Sequence, residues 1–380
     1  MAATVTWDGL RDLATFRAER GCAISLYLDL DPSVSPTAGA VDTRVNALLD
    51  EIERSQTATQ TGLTHAQKQG LRADVAWLRR FFDEEFSREG SRGQAVFCAG
   101  LDGVWRPLSL SERVPDIVKV GRAFYLAPLV PLVRRGEGIL VAFVGRERGD
   151  LYRFTNGRLE EFQERFDEQP GRHDQGGWSQ ARYQRHIEKL VEDHLREVSE
   201  LLDRQVRRRR GPGLVIVCSE GTRAALEAEL SNEVRSAIVG WTTAEAHAGP
   251  SELLRAVKPV LEQWRAEQEG AAAERWREEA GRNGRAAAGW AQTLEAASDG
   301  RVDLLLFQDG ADQRAWECPK CGRVAAEGGS CPLDGVAMEE SDHGLDLAVH
   351  QTLAHGGTVW ALRERHDLEP VEGIGALLRY

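Results

Sequence analysis

The alternation of apolar and polar positions divides the chain into mixed strands and helices. Residues 22–30 and 93–100 are short runs that are apolar at nearly every position, the pattern of strands buried on both faces. From Asp42 the apolar residues recur at helical spacing through Val45, Leu48, Leu49 and Ile52. A second helix is predicted over 64–87, with Leu71, Val75, Leu78, Phe81, Phe82 and Phe86 on its inner face. A short helix within residues 1–20, a basic-polar hairpin and a strand over 124–133 complete a first α/β segment.

A second segment opens with strands at 139–144 and 149–154, then a hairpin signal at Asn156-Gly157 and a third strand over 159–166. Residues 167–180 hold three glycines, a proline and no aliphatic side chain, so an exposed loop is expected there. Residues 181–210 read as one long helix striped with Tyr183, Ile187, Leu190, Val191, Leu195, Val198, Leu201 and Leu202, and Ser179 is a candidate cap. A buried strand over 211–220, a helix over 222–230 and a strand near 234–241 follow. The last segment is mostly helical over 251–298. It continues with a strand at 300–310, a cysteine-rich stretch, a helix at 346–357 and strands at 358–362 and 373–380. These changes of pattern place boundaries at 1–131, 132–260 and 261–380, an α/β chain of three domains.

Composition narrows the class. An apolar fraction of 42% with 28% charged residues fits a globular protein rather than a disordered one. No apolar run approaches the roughly 18 residues of a membrane span, and the early acidic residues argue against a secretory leader. Forty-eight basic against sixty acidic residues give a net charge of −12, so nucleic acid binding would need a local basic patch. Of six cysteines, Cys22, Cys98 and Cys218 sit alone in apolar runs as small hydrophobes, which suits a reducing cytoplasm.

The other three are candidates for chemistry. Cys318 and Cys321 bracket Pro319 and precede Gly322; Cys331 and Asp334 bracket Pro332 and precede Gly335. Two arms of one design suit a tetrahedral zinc held by Cys318, Cys321, Cys331 and Asp334, with His343 as the competing fourth ligand. No strand–helix context supports a redox reading of the Cys-x2-Cys pair. The loop Gly176-Gly177-Trp178-Ser179-Gln180 is the second candidate. Arg182, Arg185 and Lys189 follow at spacings of three and four, on one helix face suited to phosphate. From 171 to 210 there are ten Lys/Arg against seven Asp/Glu, ending in four consecutive arginines at 207–210. Charge runs are more often solvated surface, and a Gly-Gly pair more often a turn. No Walker loop, dinucleotide fingerprint, His-Glu-x-x-His or Gly-x-Ser-x-Gly supplies a rival site.

These features together resemble the bacterial members of the archaeo-eukaryotic release factor (eRF1/Pelota-like) family, close to the Vms1/ANKZF1-type peptidyl-tRNA hydrolases. The resemblance runs through the strand at 24–33 with the helix at 43–53, the loop and helix at 176–198, and the strand, cysteine arms, helix and final strand of the last segment. Classical members read Gly-Gly-Gln-Ser, two small or apolar residues, Arg, an aromatic, one residue, Arg. Gly176, Gly177, Ser179, Arg182, Tyr183 and Arg185 stand at the matching positions, while Trp178 replaces the glutamine. The Vms1-like pattern Gly-x-x-Gln is met by Gly177 and Gln180.

The resemblance implies a three-domain, release-factor-like fold with mixed sheets and a C-terminal L7Ae-like domain carrying a zinc knuckle. It implies hydrolysis of the peptidyl-tRNA ester by a loop in which Gly176, Gly177 and Gln180 act, while Trp178, Arg182, Arg185 and Lys189 meet RNA. The implied partners are the large ribosomal subunit, rRNA and tRNA, for a cytoplasmic monomer with no membrane association. The alternative is a factor that occupies the ribosomal A site without cleaving anything.

Overall fold

The computed structural model describes residues 5–58, 63–88, 90–110, 112–133, 139–146, 148–155, 158–161, 180–208, 213–363 and 365–380, with side chains described outside 55–58, 155 and 180–188. The chain forms two compact units, one of Met1–Arg135 with Glu269–Tyr380, the other of Gly136–Gln268.

The first unit begins with α1 (Trp7–Thr15), whose Thr6 cap accepts from the Gly9 N–H. Strand β1 (Ala23–Asp29) is buried at every residue. Helices α2 (Ala38–Ala58) and α3 (His65–Arg80) follow, the latter started by a capping box between Thr64 and Gln67. A single π-turn at Phe81–Glu85 then leads into β2 (Gly93–Ala99), β3 (Val104–Leu110) and β4 (Ile117–Gly121). The antiparallel order is β3-β2-β1-β4, with Ile24 opposite both Cys98 and Val120. Because side chains alternate across a strand, β1 feeds two cores. Ile24, Leu26 and Leu28 pack with Leu49, Ile52 and Leu78 of α2 and α3, while Ala23 and Tyr27 join a second cluster with Leu10, Phe97 and Phe124.

The strand expected over 124–133 is instead a 3-10 turn at Ala127–Leu129 running into the short helix α4 (Val130–Val133). Pro128 and Pro131 cannot donate to a ladder, and the N–H groups of Leu126 and Ala127 are taken by the Asp346 carboxylate.

In the second unit β5 (Leu140–Val144), β6 (Gly149–Thr155) and β7 (Arg158–Glu161) form a meander. The long helix α5 (Gln180–Arg208) follows, then β8 (Leu214–Cys218), α6 (Glu220–Glu229), α7 (Asn232–Ala237), β9 (Ile238–Thr242) and α8 (Pro250–Gly281). The first half of the strand expected near 234–241 is thus helical, because Ser231 caps the Val234 N–H. The sheet order is β7-β6-β5-β8-β9, with β5, β8 and β9 parallel. Leu195, Val198 and Leu202 of α5, with Leu226 and Val234, cover one face; Leu253, Val257 and Leu261 of α8 cover the other.

The chain re-enters the first unit within α8. The helix stops at Gly281, and Asn283 takes a left-handed φ of 50° before the short strand β10 (Ala286–Ala288), so the break falls at the Asn-Gly-Arg segment that interrupts the helical pattern of 251–298. Then come α9 (Gly289–Ser298), β11 (Val302–Gln308), the small strands β12 (Ala315–Glu317), β13 (Val324–Ala325) and β14 (Glu339–Ser341), α10 (Gly344–Ala354), β15 (Thr358–Leu362) and β16 (Ile374–Leu378). A mixed sheet of order β10-β16-β11-β15 lies between α9 with α10 and the end of α8. Trp290, Leu294 and Val349 from this part share one core with Leu10, Tyr27 and Phe124 from the amino-terminal part. The two parts are therefore packed through a continuous apolar interior, which is why sequence segments separated by 133 residues fold as one unit.

Candidate metal centre and loop

The small sheet β13-β12-β14 is a scaffold for two turns. The first turn carries Cys318 and Cys321 between β12 and β13; the second carries Cys331 and Asp334 between β13 and β14. In the first turn the Gly322 N–H donates to the Cys318 carbonyl (2.9 Å) and the Cys318 N–H to the Arg323 carbonyl (2.7 Å). In the second, Gly335 donates to Cys331 (2.8 Å) and Cys331 to Val336 (2.7 Å). The two turns have the same bonding at the same offsets. Gly322 and Gly335 sit at φ of 78° and 67°, a conformation glycine adopts without steric cost.

The donors converge. The ligand atoms of Cys318, Cys321, Cys331 and Asp334 all lie within 4.8 Å of one another. Cys318 Sγ is 3.5 Å from Asp334 Oδ2, Cys331 Sγ is 3.8 Å from the same oxygen, and Cys321 and Cys331 sulfurs are 3.6 Å apart. A tetrahedron with arms of about 2.0–2.3 Å has edges of about 3.5–3.8 Å, so the four atoms are spaced to hold one ion. Three sulfurs and one carboxylate oxygen suit a tetrahedral ion of the zinc type better than an octahedral one. Asp334 divides its oxygens: Oδ2 faces the sulfurs and Oδ1 lies 3.3 Å from Lys320 Nζ. Hydrogen bonding from Cys321 first, and from Cys318 and Lys320, holds the Asp334 carboxyl below its ordinary range. The reverse effect of that carboxylate pushes the Cys321 thiol up to about 12. Burial acts to raise the Cys331 thiol, but hydrogen bonds from the backbone N–H groups of Asp334 and Leu333 and from the Cys321 and Cys318 thiols together bring it below its ordinary value.

His343, the competing ligand, is elsewhere. It precedes α10, and its Nδ1 lies 2.9 Å from Asp312 Oδ2. Sequence reasoning missed Lys320 as the partner of Asp334, although its place beside Cys321 was a usable signal. It also missed the ties that fix the turns: Arg122 donates to the Pro319 carbonyl (3.1 Å), Gln351 to the Gly322 carbonyl (2.6 Å), and Arg17 pairs with Glu317 (3.4 Å).

Of the loop residues, Gly176, Gly177 and Trp178 lie outside the described residues, as does the candidate cap Ser179. Gln180 opens α5, and the same helix carries Arg182, Arg185 and Lys189 at spacings that share a face. Lys189 is exposed. Within the four-arginine run, Arg207 pairs with Asp203 at 2.9 Å and approaches Glu233 at 3.9 Å, and Arg209 and Arg210 lie outside the described residues. His194 is buried on the inner side of α5, as expected of a packing residue, and Cys22, Cys98 and Cys218 are all buried. Burial raises the Cys218 thiol to about 11, which leaves it inert at neutral pH.

Residues 125–262 match the model of bacterial archaeo-eukaryotic release factor family 10. Peptide chain release factor subunit 1 of Archaeoglobus fulgidus is 28% identical over 358 residues, which cover 87% of this chain and 84% of that protein. In sequence the chain is thus similar, at low identity, to an archaeal release factor. Among solved structures, the archaeal translation termination factor aRF1 aligns over 99% of both chains at 14% identity and a TM-score of 0.26. Ribosome-bound archaeal Pelota aligns over 76% of this chain and 78% of that one at 14% identity and a TM-score of 0.43. The similarity rests on the two sequence matches. Among the described residues no helix is long and apolar enough to cross a membrane.

Proposed function

We propose that this protein is a ribosome-associated, release-factor-like protein that hydrolyses the ester of peptidyl-tRNA on stalled or split ribosomes. The observation that carries the reading is the alignment with an archaeal peptide chain release factor across 87% of the chain. The family match at 125–262 includes the Gly176-Gly177-Trp178-Ser179-Gln180 loop. The working division is a first segment at 1–131, a loop-bearing segment at 132–260 and an L7Ae-like segment at 261–380 that carries a structural zinc.

The chemistry asked of the chain is small. The ester is already activated and is placed by RNA, so the protein supplies an oriented water or a hydrogen bond where negative charge develops on the carbonyl oxygen. Gln180 is the side chain for that task. Gly176 and Gly177 allow close approach to RNA. Trp178 offers a face for stacking on a base, and Arg182, Arg185 and Lys189 meet phosphates. Cys318, Cys321, Cys331 and Asp334 would hold zinc with every position taken by protein, so its contribution is to folding rather than to the reaction.

The deciding assay mixes the protein with large ribosomal subunits carrying peptidyl-tRNA and measures peptide release. Release by the wild-type chain, lost in Gln180→Ala and Gly177→Ala while binding persists, is the expected result. One observation favours the second reading, A-site occupancy without cleavage: Trp178 stands where classical release factors carry their glutamine. That reading requires tight binding and no release from either protein. Release that survives Gln180→Ala would remove Gln180 from the mechanism.

A further inference from the structure

The sheet of the second unit ends at β9, which has β8 on one side and no strand on the other among the described residues. All five residues of β9 are half-buried, whereas β8 beside it is buried throughout. Alternate N–H and C=O groups along its outer edge thus lack ladder partners, the arrangement that accepts an added strand. Beside this edge lies a groove of about 640 Å³ between β9 and α6. Its lining includes the apolar Ala224, Ala228, Leu230, Ile238 and Trp241 together with Glu227 and Arg235.

The small residues have structural causes. Ala224 and Ala228 are four apart on α6 and leave the helix face low, so the space above it is not filled. The Arg223 guanidinium covers one side of Trp241, 4.7 Å from the ring centroid, and fixes that ring. The charges are unbalanced. The ionisable groups of the lining are Glu227 and Arg235. Glu227 is already paired with Arg223 at 2.9 Å, whereas Arg235 donates to the backbone carbonyl of Glu227 at 2.6 Å. The Arg235 charge therefore faces the groove without a carboxylate among the described residues.

We propose that this groove binds an extended peptide segment of a partner protein, which pairs with β9 as a sixth strand of the sheet. Its apolar side chains enter between β9 and α6, and an acidic side chain or a terminal carboxylate meets Arg235. Main-chain pairing supplies affinity, and alternate side chains supply selectivity. An acidic partner fits because, among the described residues, the one lining charge without an ion-pair partner is positive, and a basic strand would meet that charge unfavourably. The site is separate from the peptidyl-tRNA reading and stands whether or not the loop hydrolyses an ester.

The test uses the full chain and synthetic hexapeptides of alternating valine and glutamate, alternating valine and lysine, and the glutamate series with its central valine replaced by proline. Hydrogen exchange is followed at residues 238–242. The acidic peptide should slow exchange in β9, the lysine peptide should do so weakly, and the proline peptide should fail for want of a donor. Arg235→Glu should lower affinity for the acidic peptide about fivefold and improve binding of the lysine peptide, while Arg235→Lys keeps the original order. Circular dichroism of each variant checks that the fold is intact. Equal binding of both charge series, protection without dependence on Arg235, or no protection of β9 by any peptide overturns the proposal. Protection that arises only from self-association, seen as a dimer by light scattering without peptide, also overturns it, since the occupant is then a second copy.

Discussion

Removing the carboxylate of Asp346 should loosen the seam between the amino-terminal and carboxy-terminal parts of the first unit. Its Oδ1 accepts from the backbone N–H groups of Leu126 (2.7 Å) and Ala127 (3.1 Å), and its Oδ2 lies 3.6 Å from His350 Nε2. The acceptor is itself almost fully buried, 8% exposed, so water does not replace it. Asp346→Ala strands two buried N–H groups at about 1–3 kcal/mol each, and we expect a loss of about 3–4 kcal/mol. Asp346→Asn keeps one oxygen acceptor and should lose about 1 kcal/mol or less near neutral pH. The dependence on pH has a definite sign. Burial pushes the Asp346 carboxyl above its usual range, opposed by His350 and by the two backbone N–H groups. The folded chain therefore holds this proton more tightly than the unfolded chain, where the group titrates near about 3.9. Stability from this group is fully present below the unfolded pKa and is lost as pH rises through the folded pKa. Asparagine has no such proton, so the deficit of Asp346→Asn relative to wild type should shrink as pH rises across that window. Urea unfolding at several pH values gives the free energies, and hydrogen exchange at Leu126 and Ala127 reports the seam directly. A loss under about 1 kcal/mol for Asp346→Ala, unchanged exchange at both amides, or a pH-independent Asn deficit would refute the reasoning.

Two further outcomes concern the metal turns and the basic helix. Purified protein should carry one equivalent of zinc by elemental analysis, retained in His343→Ala and lost in Cys331→Ser, and chelation should lower the melting temperature of the first unit; protein made with zinc in excess yet free of metal would sink this assignment. The triple variant of Arg182, Arg185 and Lys189 to alanine should bind large ribosomal subunits more weakly, with a salt slope reduced by about one unit for each phosphate no longer neutralised; an unchanged slope would mean that this helix face only meets solvent.

Much of the local structure was legible in the sequence because it rests on short-range effects. The apolar runs of β1, β2, β8 and β11 marked buried strands, and the stripe from Leu195 to Leu202 marked the inner face of α5. The repeated Cys-Pro and Gly placement marked two like turns, since the bonds that build each turn join residues four and five apart. One misreading, at 234–237, has a local cause in the Ser231 cap; others lie where a distant group decides a local choice. Apolar residues at 124–133 read as a strand, but the carboxylate that takes the Leu126 and Ala127 N–H groups comes from position 346. Likewise His343 and Asp334 were both acceptable ligands by composition. Only the approach of Asp312 to the histidine ring, and of the Asp334 oxygen to the sulfurs, separates them.

The sequence by itself determined the mixed α/β class, the positions of most elements, the three cysteines of the donor set and the low-identity similarity to an archaeal release factor. Hydrophobic periodicity, turn chemistry and motif spacing are properties of neighbouring residues. Tertiary structure alone decided that the first and last segments close into one unit around Tyr27, Phe124, Trp290 and Val349, and that β9 is left as an edge beside a groove with an unneutralised arginine. Those outcomes depend on which faces meet after the chain has looped through another unit, and no local pattern encodes such a meeting.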